Sequence, residues 1–258
     1  MEYKTCAEAR TLPGLRLVLS VGAPNPWGEA AKAVFHVRRA PYIAVGRLGM
    51  DDDPELYAWT GQRNVPVAMY ADEKPRSSWI DILYLAERLG EGPSLLPQDP
   101  DRLVECIGLS HRICGEDGLG WNRRLDQFRT MVEEANGDAA SLGLPQRLYS
   151  DYRITPDTMA QGTQRLIEIL SYLDKRLQRQ RSHGSDYLVG DRLSACDLHL
   201  ATMFGMVDPL PPKVSPMPLP LRGRYESGRP ELRAAVTDPL RRHRDMIYDR
   251  HLTLPMDF

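Results

Sequence analysis

The first ninety residues alternate between short apolar runs and amphipathic stretches. Residues 16–21 have the length and composition of a strand, and the glycine and prolines of residues 22–26 interrupt it. Apolar residues then recur at helical spacing, and they are Trp27, Ala30, Ala31, Val34 and Phe35. Pro41 ends this predicted helix, and residues 42–45 predict a second strand. The β-α-β order implies a parallel strand pair with a right-handed crossover.

Residues 65–70 form the next apolar run and predict a third strand, which Pro66 introduces. Any fourth strand around Pro75 must be very short and must lie at the edge of the sheet, where proline is tolerated. Ser77 or Ser78 can cap a helix that Gly90 ends. The apolar stripe of this helix consists of Trp79, Ile82, Leu85, Ala86 and Leu89.

The pattern changes after residue 90. Residues 91–100 hold three prolines and a glycine, so residues 91–98 predict a linker. Beyond it almost every apolar stretch has helical spacing. The expected architecture is therefore α/β plus all-α, with an α/β domain over residues 1–90 and a helical domain over residues 99–258.

Within the helical part, residues 99–136 predict a long helical stretch that is interrupted at residues 115–120. Residues 137–156 predict a polar connection, and further helices are predicted around residues 166–177 and 198–207. The proline-rich residues 209–220 exclude a helix or a central strand. The tail after Pro230 is again helical in pattern, and its run Arg241-Arg242-His243-Arg244 predicts a solvated helix face.

Composition is typical of a soluble globular protein. Hydrophobic residues make up 42% of the chain and charged residues 26%, and the formal net charge is −2. The absence of a basic excess argues against general nucleic-acid binding. The sequence has no apolar run of membrane-helix length, and its first residues are too polar for a signal peptide, so we expect a cytoplasmic protein without membrane contact. The four cysteines include no CxxC pair and the six histidines no HxxxH pair, so we expect reduced thiols and no metal.

Three segments carry a family resemblance. The first is Val65-Pro66-Val67, at the start of the third strand. The second is Ser77-Ser78-Trp79-Ile80, with Tyr84-Leu85 further along the same helix. The third is Gly190-Asp191, followed by Ser194 and Asp197. Together they resemble the glutathione transferase superfamily, in which a thioredoxin-like domain precedes a helical-bundle domain.

The resemblance implies how glutathione would be held. In the family the proline that matches Pro66 is cis, and the residue that matches Val65 pairs through its backbone with the cysteine of glutathione. Ser78 and the helix amides behind it would hold the γ-glutamyl carboxylate, although an ordinary N-cap serine is the alternative interpretation. Ser77 would lie in the same site, where the family usually has an acidic residue for the ammonium group of the ligand. Ser194 and Asp197 match a structural capping box.

The catalytic position departs from the family pattern. Members place a Tyr, Ser or Cys after the first strand, whereas this chain has Ala23-Pro24-Asn25. Asn25 is the remaining candidate, because its amide can donate to a thiolate. Alternatively, Asn25 is a turn residue that bonds to the local backbone. Trp27 could line the glutathione pocket or pack in the core, and Ser20 is expected to be a buried, satisfied hydroxyl.

Two functions from different classes follow. The first is an enzyme that activates the glutathione thiol for attack on an electrophilic, partly apolar small molecule by conjugation, ether cleavage or isomerisation. Its second substrate would bind between the domains, with Trp121, Tyr149 and Tyr152 as candidate contacts. The second function is a non-catalytic module that binds a ligand or a protein, which Ala23 and Ser77 favour. The resemblance also implies a homodimer.

Overall fold

The computed structural model describes residues 1–49, 52–138, 142 and 146–258. Part of the predicted connection over residues 137–156 therefore lies outside the described residues. In chain order the elements are α1 (Cys6–Arg10), β1 (Leu15–Ser20), α2 (Pro26–Val37), β2 (Ile43–Arg47), α3 (Pro54–Thr60), β3 (Val67–Tyr70), α4 (Trp79–Leu89), α5 (Pro100–Cys114), α6 (Leu119–Glu134), α7 (Gln146–Asp151), α8 (Pro156–Ser182), α9 (Ala195–Phe204), α10 (Leu219–Glu226), α11 (Pro230–Ala235) and α12 (Asp238–His251).

The sheet has the strand order β2-β1-β3. β1 pairs with β2 in parallel, as the β-α-β pattern predicted, and it pairs with β3 antiparallel. A single antiparallel bridge between Ala68 and Arg76 stands where a fourth strand was expected to be very short. The central strand is buried along almost its whole length, since both of its faces are covered.

Helix α2 follows the predicted apolar spacing. It begins at Pro26, one residue earlier than the spacing indicated, because proline fits the first turn of a helix. Its apolar face packs against the sheet and against α9, and the fully buried Phe35 lies in that core. The α/β part and the helical part therefore share one hydrophobic core.

A short helix that the sequence analysis missed precedes β1. In α1, Thr5 accepts a hydrogen bond from the Glu8 amide, and the Glu8 carboxylate accepts one from the Thr5 amide, which forms a capping box. Cys6 and Ala9 are buried in a small cluster beneath the sheet. The Thr-x-x-Glu spacing in the sequence is the signal that could have predicted this helix.

Helix α9 lies at the centre of the molecule and contacts α2, α5, α6 and α12. All ten of its residues are buried, so it has no polar face. Its N-terminus carries the predicted capping box, in which Ser194 and Asp197 exchange side-chain and backbone hydrogen bonds. The Cys196 side chain is fully buried.

Two predictions for the helical part are wrong in detail. The polar connection contains the helix α7, whose Leu148 is buried and which α6 and α8 flank in the sequence. The proline-rich stretch does not exclude a helix at its end, because α10 begins at Leu219 with Pro220 in its first turn. The predicted interruption between α5 and α6 and the helical tail after Pro230 are both present.

The run Arg241–Arg244 is not a uniformly solvated face, which corrects the prediction. His243 and Arg244 are buried, and only Arg242 is fully exposed. His243 Nε2 donates to Asp197 Oδ1 over 3.0 Å, and Arg244 pairs with Asp208. Both partners lie far away in sequence, and no local pattern signals them.

The described residues include no helix that is both long and apolar enough to cross a membrane. Within the same part of the chain, no three His, Cys, Asp or Glu side chains are grouped as a metal site requires. All four cysteines are buried and carry free thiols.

Candidate functional site

The segment before β3 has a free main-chain edge. The Val65–Pro66 peptide bond is cis, as the resemblance led us to expect. Val65 is half-buried, and its side chain packs beneath the sheet. Its N–H and C=O groups have no partner among the described residues. This residue can therefore still pair with an added extended peptide.

The N-terminus of α4 lies beside this edge and is exposed. Ser78 is the N-cap, and its Oγ accepts a hydrogen bond from the Asp81 amide over 3.2 Å. The same hydroxyl donates to Asp81 Oδ2 over 2.7 Å. The first-turn amides of Trp79 and Ile80 have no partner in the part of the chain that the structure describes. Both interpretations of Ser78 thus remain compatible with the geometry, because it caps the helix and leaves donors for an anion.

Ser77 is also exposed, and its hydroxyl donates to Gln62 Oε1 over 3.1 Å. Gln62 was not identified from the sequence. It lies two residues after Thr60, the last residue of α3, and directly after Gly61, which has a positive φ of 67°. The pair places two neutral polar groups at the position where the resemblance led us to expect an acid.

Asn25 is the N-cap of α2. Its Oδ1 accepts from the Trp27 amide over 3.1 Å and from the Gly28 amide over 3.5 Å. Its Nδ2 donates to Ser20 Oγ over 3.3 Å. The Asn25 oxygen therefore bonds to the local backbone, as the alternative interpretation predicted. The Ser20 hydroxyl is half-buried and is satisfied by the hydrogen bond from Asn25 Nδ2. One N–H of the Asn25 amide remains without a partner among the described residues.

Trp27 packs between the two parts of the molecule and also borders a cavity. Its indole Nε1 donates to the Cys114 carbonyl over 2.9 Å, which ties α2 to the end of α5. Its ring lies so close to α6 that a Cβ at Gly120 would stand 3.0 Å from Trp27 Cζ2. Trp27 also lines a small cavity together with Pro66 and Ser77.

That cavity brings three of the predicted positions to one place. It measures about 10 Å³, close to the volume that one water molecule needs. Trp79 and His199 also line this cavity, and their rings pack edge to face with the ring centroids 5.5 Å apart. His199 is 1% exposed, and burial lowers its pKa to about 4, so its imidazole is neutral at neutral pH.

Aromatic side chains of the helical part pack against one another. Trp121 and Tyr152 pack with ring centroids 4.8 Å apart, and Phe128 packs against Tyr152. Asn64, which precedes Val65, donates to Asp151 Oδ2 of α7 over 3.1 Å. This bond ties the end of α7 to the residue before Val65. Tyr149 is half-buried in α7.

The loop before α2 is held from the helical part as well. Tyr225 of α10 is buried, and its hydroxyl donates to the Pro24 carbonyl over 3.3 Å. Burial raises the pKa of Tyr225, so this hydroxyl keeps its proton. Tyr225, Asp81 and Asn64 were all missed. Tyr225 and Asn64 act through contacts with residues far away in the sequence, whereas the Ser78-x-x-Asp81 spacing could have indicated Asp81.

These features define a two-part protein with a thioredoxin-like α/β part, a helical part and an open peptide edge between them. Residues 157–236 match the family model described as glutathione S-transferase, C-terminal domain. This segment includes Ser194 and Asp197. Compared with the curated proteins, the chain has no match.

Several solved structures share the fold. A glutathione S-transferase from Methylobacterium radiotolerans, in complex with glutathione sulfonate, is 20% identical over 92% of this chain and 91% of that chain, with a TM-score of 0.59. A glutathione transferase from Pseudomonas putida, with one glutathione disulfide bound per subunit, is 15% identical over 95% and 92%, with a TM-score of 0.61. One from Methylobacillus flagellatus with glutathione bound is 16% identical over 92% and 95%, with a TM-score of 0.58.

The domain match over residues 157–236 and the shared architecture of the solved structures both support the resemblance to the glutathione S-transferase superfamily. The fold of the chain is the one expected from the sequence, a thioredoxin-like domain followed by a helical bundle.

Proposed function

We propose that this protein binds glutathione along Val65 and activates its thiol for attack on an electrophilic, partly apolar small molecule. The observation that carries the proposal is the unpaired main chain of Val65, which lies between the N-termini of α2 and α4. The three solved structures compared above were determined with glutathione or a derivative bound, which supports the same ligand here.

The ligand would lie in an extended form. Its cysteine main chain would pair with the backbone of Val65, beside Pro66, as an added strand does. Its γ-glutamyl carboxylate would accept from the Ser78 hydroxyl and from the free amides at the start of α4. Ser77 would contact the same end of the ligand through its hydroxyl. The Asp81 carboxylate, which now holds the Ser78 proton, would have to release it.

Asn25 would act on the sulfur. A free thiol has a pKa near ~8.5 and is mostly protonated at neutral pH. The remaining N–H of the Asn25 amide would donate to the sulfur and so favour the thiolate. Ser20 fixes the orientation of this amide by accepting its other N–H. The positive end of α2 adds a favourable potential at the same place.

The chemical step would be nucleophilic attack of the thiolate on an electrophilic carbon. A carbon–sulfur bond forms, and either a leaving group departs with the bonding electrons or the adduct takes up a proton. The electrophile would bind against Trp27, Trp121 and Tyr152, with Tyr149 nearby, in the space between the two parts. The proposal includes the homodimer and the cytoplasmic location expected from the sequence.

The second candidate function is a non-catalytic module that binds a ligand or a protein. Two observations favour it. Ala23 offers no hydroxyl, and the Asn25 oxygen is fully used in capping α2. In that case the free edge at Val65 would bind glutathione or another extended peptide without turnover.

A two-stage experiment separates these functions. Retention on immobilised glutathione, with elution by free glutathione, measures binding, and conjugation of a reactive aryl halide measures turnover. Retention with turnover supports the enzyme. Retention without turnover supports the binding module, and the absence of both contradicts the proposed ligand.

A further inference from the structure

A groove between α8 and α12 has no part in the proposed glutathione site. We call it the α8–α12 groove, and its volume is about 270 Å³. One side consists of the last turns of α8, and the other follows a single face of α12 from Pro239 to Arg250. Leu177 and Met246 are the apolar side chains that line it.

The charge in this groove is strongly one-sided. Arg181, Arg242 and Arg250 line it, whereas Asp186 is the one acid among its lining residues. Asp186 lies 3.8 Å from Arg181 and 3.3 Å from Arg250, so it partly neutralises that end. Arg242 is exposed and has no ion pair or hydrogen bond within the described ranges. Three guanidinium groups against one carboxylate leave an excess of two positive charges.

His243 provides a second, independent observation. It lines the same groove but is only 4% exposed. Its Nε2 donates to the fully buried carboxylate of Asp197, so this edge of the ring points into the core. Its Nδ1 is buried and has no partner among the described residues. Buried polar atoms nearly always have a partner, so an unpaired one beside an arginine-lined groove indicates a missing ligand.

The N-terminus of α12 adds to the same potential. Thr237 is its N-cap but makes no capping bond with its side chain, because its hydroxyl donates to Asp174 Oδ1 instead. The positive end of this fourteen-residue helix therefore lies beside Pro239 without a side-chain cap, and the exposed carboxylate of Asp238 in its first turn offsets part of that potential.

We propose that the α8–α12 groove binds a small molecule with at least two negative charges carried by phosphate. One phosphate would lie between Arg242 and His243, where arginine can donate two parallel hydrogen bonds. The Nδ1 lone pair of His243, free while Nε2 donates to Asp197, would accept a hydrogen bond from a protonated oxygen of the same phosphate. A second anionic group would reach Arg250 and Arg181 and displace Asp186 from them.

The test uses the full-length chain and inorganic pyrophosphate as the probe. Isothermal titration calorimetry at 0.15 M salt should give saturable binding of one pyrophosphate per chain. Arg242→Gln and Arg250→Gln should each weaken it about tenfold, since each removes a charge-assisted hydrogen bond. Arg192→Gln is the matched control, because Arg192 is exposed in the same helical part but lies outside the groove. It should change the affinity less than twofold.

Two further readouts fix the place of binding. Saturating glutathione should leave the pyrophosphate affinity unchanged, so failure of this proposal is distinguishable from failure of the proposed function. The ring-nitrogen NMR signals of His243 should shift on titration, and those of the exposed His36 on α2 should not. The proposal is overturned by unsaturable heats, by an equal loss in Arg192→Gln, by competition with glutathione, or by an unmoved His243 signal.

Discussion

The N-termini of α9 and α4 have the same Ser-x-x-Asp spacing but different environments. In α9, Asp197 is fully buried and accepts from the Ser194 amide, the Ser194 hydroxyl, the Leu188 amide and His243. In α4, Asp81 is exposed and accepts from the Ser78 hydroxyl. The buried motif has its acceptors saturated and is structural. The exposed motif leaves backbone donors unpaired, so it can bind a ligand.

The N-terminus of α2 lies between these two cases. Asn25 uses its oxygen for the helix, as Ser194 does, but keeps one N–H available. An N-cap residue can therefore bind the helix amides and a ligand at the same time only when it uses different atoms for the two. The comparison predicts that changes in α9 act on stability, whereas changes in α4 and α2 act on glutathione.

The largest expected effect is on stability in α9. Asp197→Ala leaves four buried donors without an acceptor and should lower the free energy of unfolding by about 3–5 kcal/mol. Urea denaturation measures this loss. A loss below about 1 kcal/mol would mean that the buried N-terminus of α9 contributes no more to stability than an exposed N-cap such as that of α4.

The next effect is the pH dependence that His199 confers. Its folded-state pKa of about 4 lies below the ordinary value of 6.5, because burial disfavours the charged ring. The unfolded chain thus takes up a proton that the folded chain does not, and stability falls as the pH falls from 6.5 to 4. The loss should total about 3 kcal/mol.

His199→Leu tests this pH dependence by difference. Urea midpoints for the natural chain and the variant, measured at pH 7 and at pH 4, should show a smaller acid loss in the variant. Equal acid loss in both chains contradicts a neutral, buried imidazole at this position.

A smaller effect is expected at the exposed helix end. Ser78→Ala should weaken glutathione binding about tenfold, since it removes one hydrogen bond to a carboxylate. It should cost only about 1 kcal/mol of stability as a lost N-cap. Ser94→Ala, another exposed serine whose hydroxyl bonds to Glu87, is the matched control and should leave binding unchanged. Titration calorimetry with glutathione decides, and equal affinities for all three chains would remove Ser78 from the site.

The smallest expected effect sharpens the role of Asp81. Its carboxylate holds the Ser78 proton and adds negative charge where the γ-glutamyl carboxylate would lie. Asp81→Asn should therefore strengthen glutathione binding about two- to threefold, since it removes a like charge at an exposed site. Weaker binding in this variant would show that Asp81 contacts the ligand's ammonium group instead.

The sequence predicted the sheet, the main helices and the α9 capping box, because spacing and local motifs carry that information. The α1 helix was missed although its Thr5-x-x-Glu8 signal was present. The burial of His243 and Arg244 could not be predicted, since their partners Asp197 and Asp208 lie 46 and 36 residues away. Motifs predicted Ser78 and Asn25 as candidate site residues, but their bonds to Asp81 and Ser20 depend on side-chain geometry.

The most direct test of the account is the pKa of the glutathione thiol when bound, followed through the ultraviolet absorbance of the thiolate. The natural chain should lower this pKa by about one unit below that of free glutathione, as one donated hydrogen bond to sulfur would. Asn25→Asp keeps an oxygen to cap α2 but loses the N–H donor, so it should bind glutathione without lowering the thiol pKa and should lose most turnover. An unshifted thiol pKa in the natural chain, or equal activity in Asn25→Asp, would contradict the claim that Asn25 activates the sulfur.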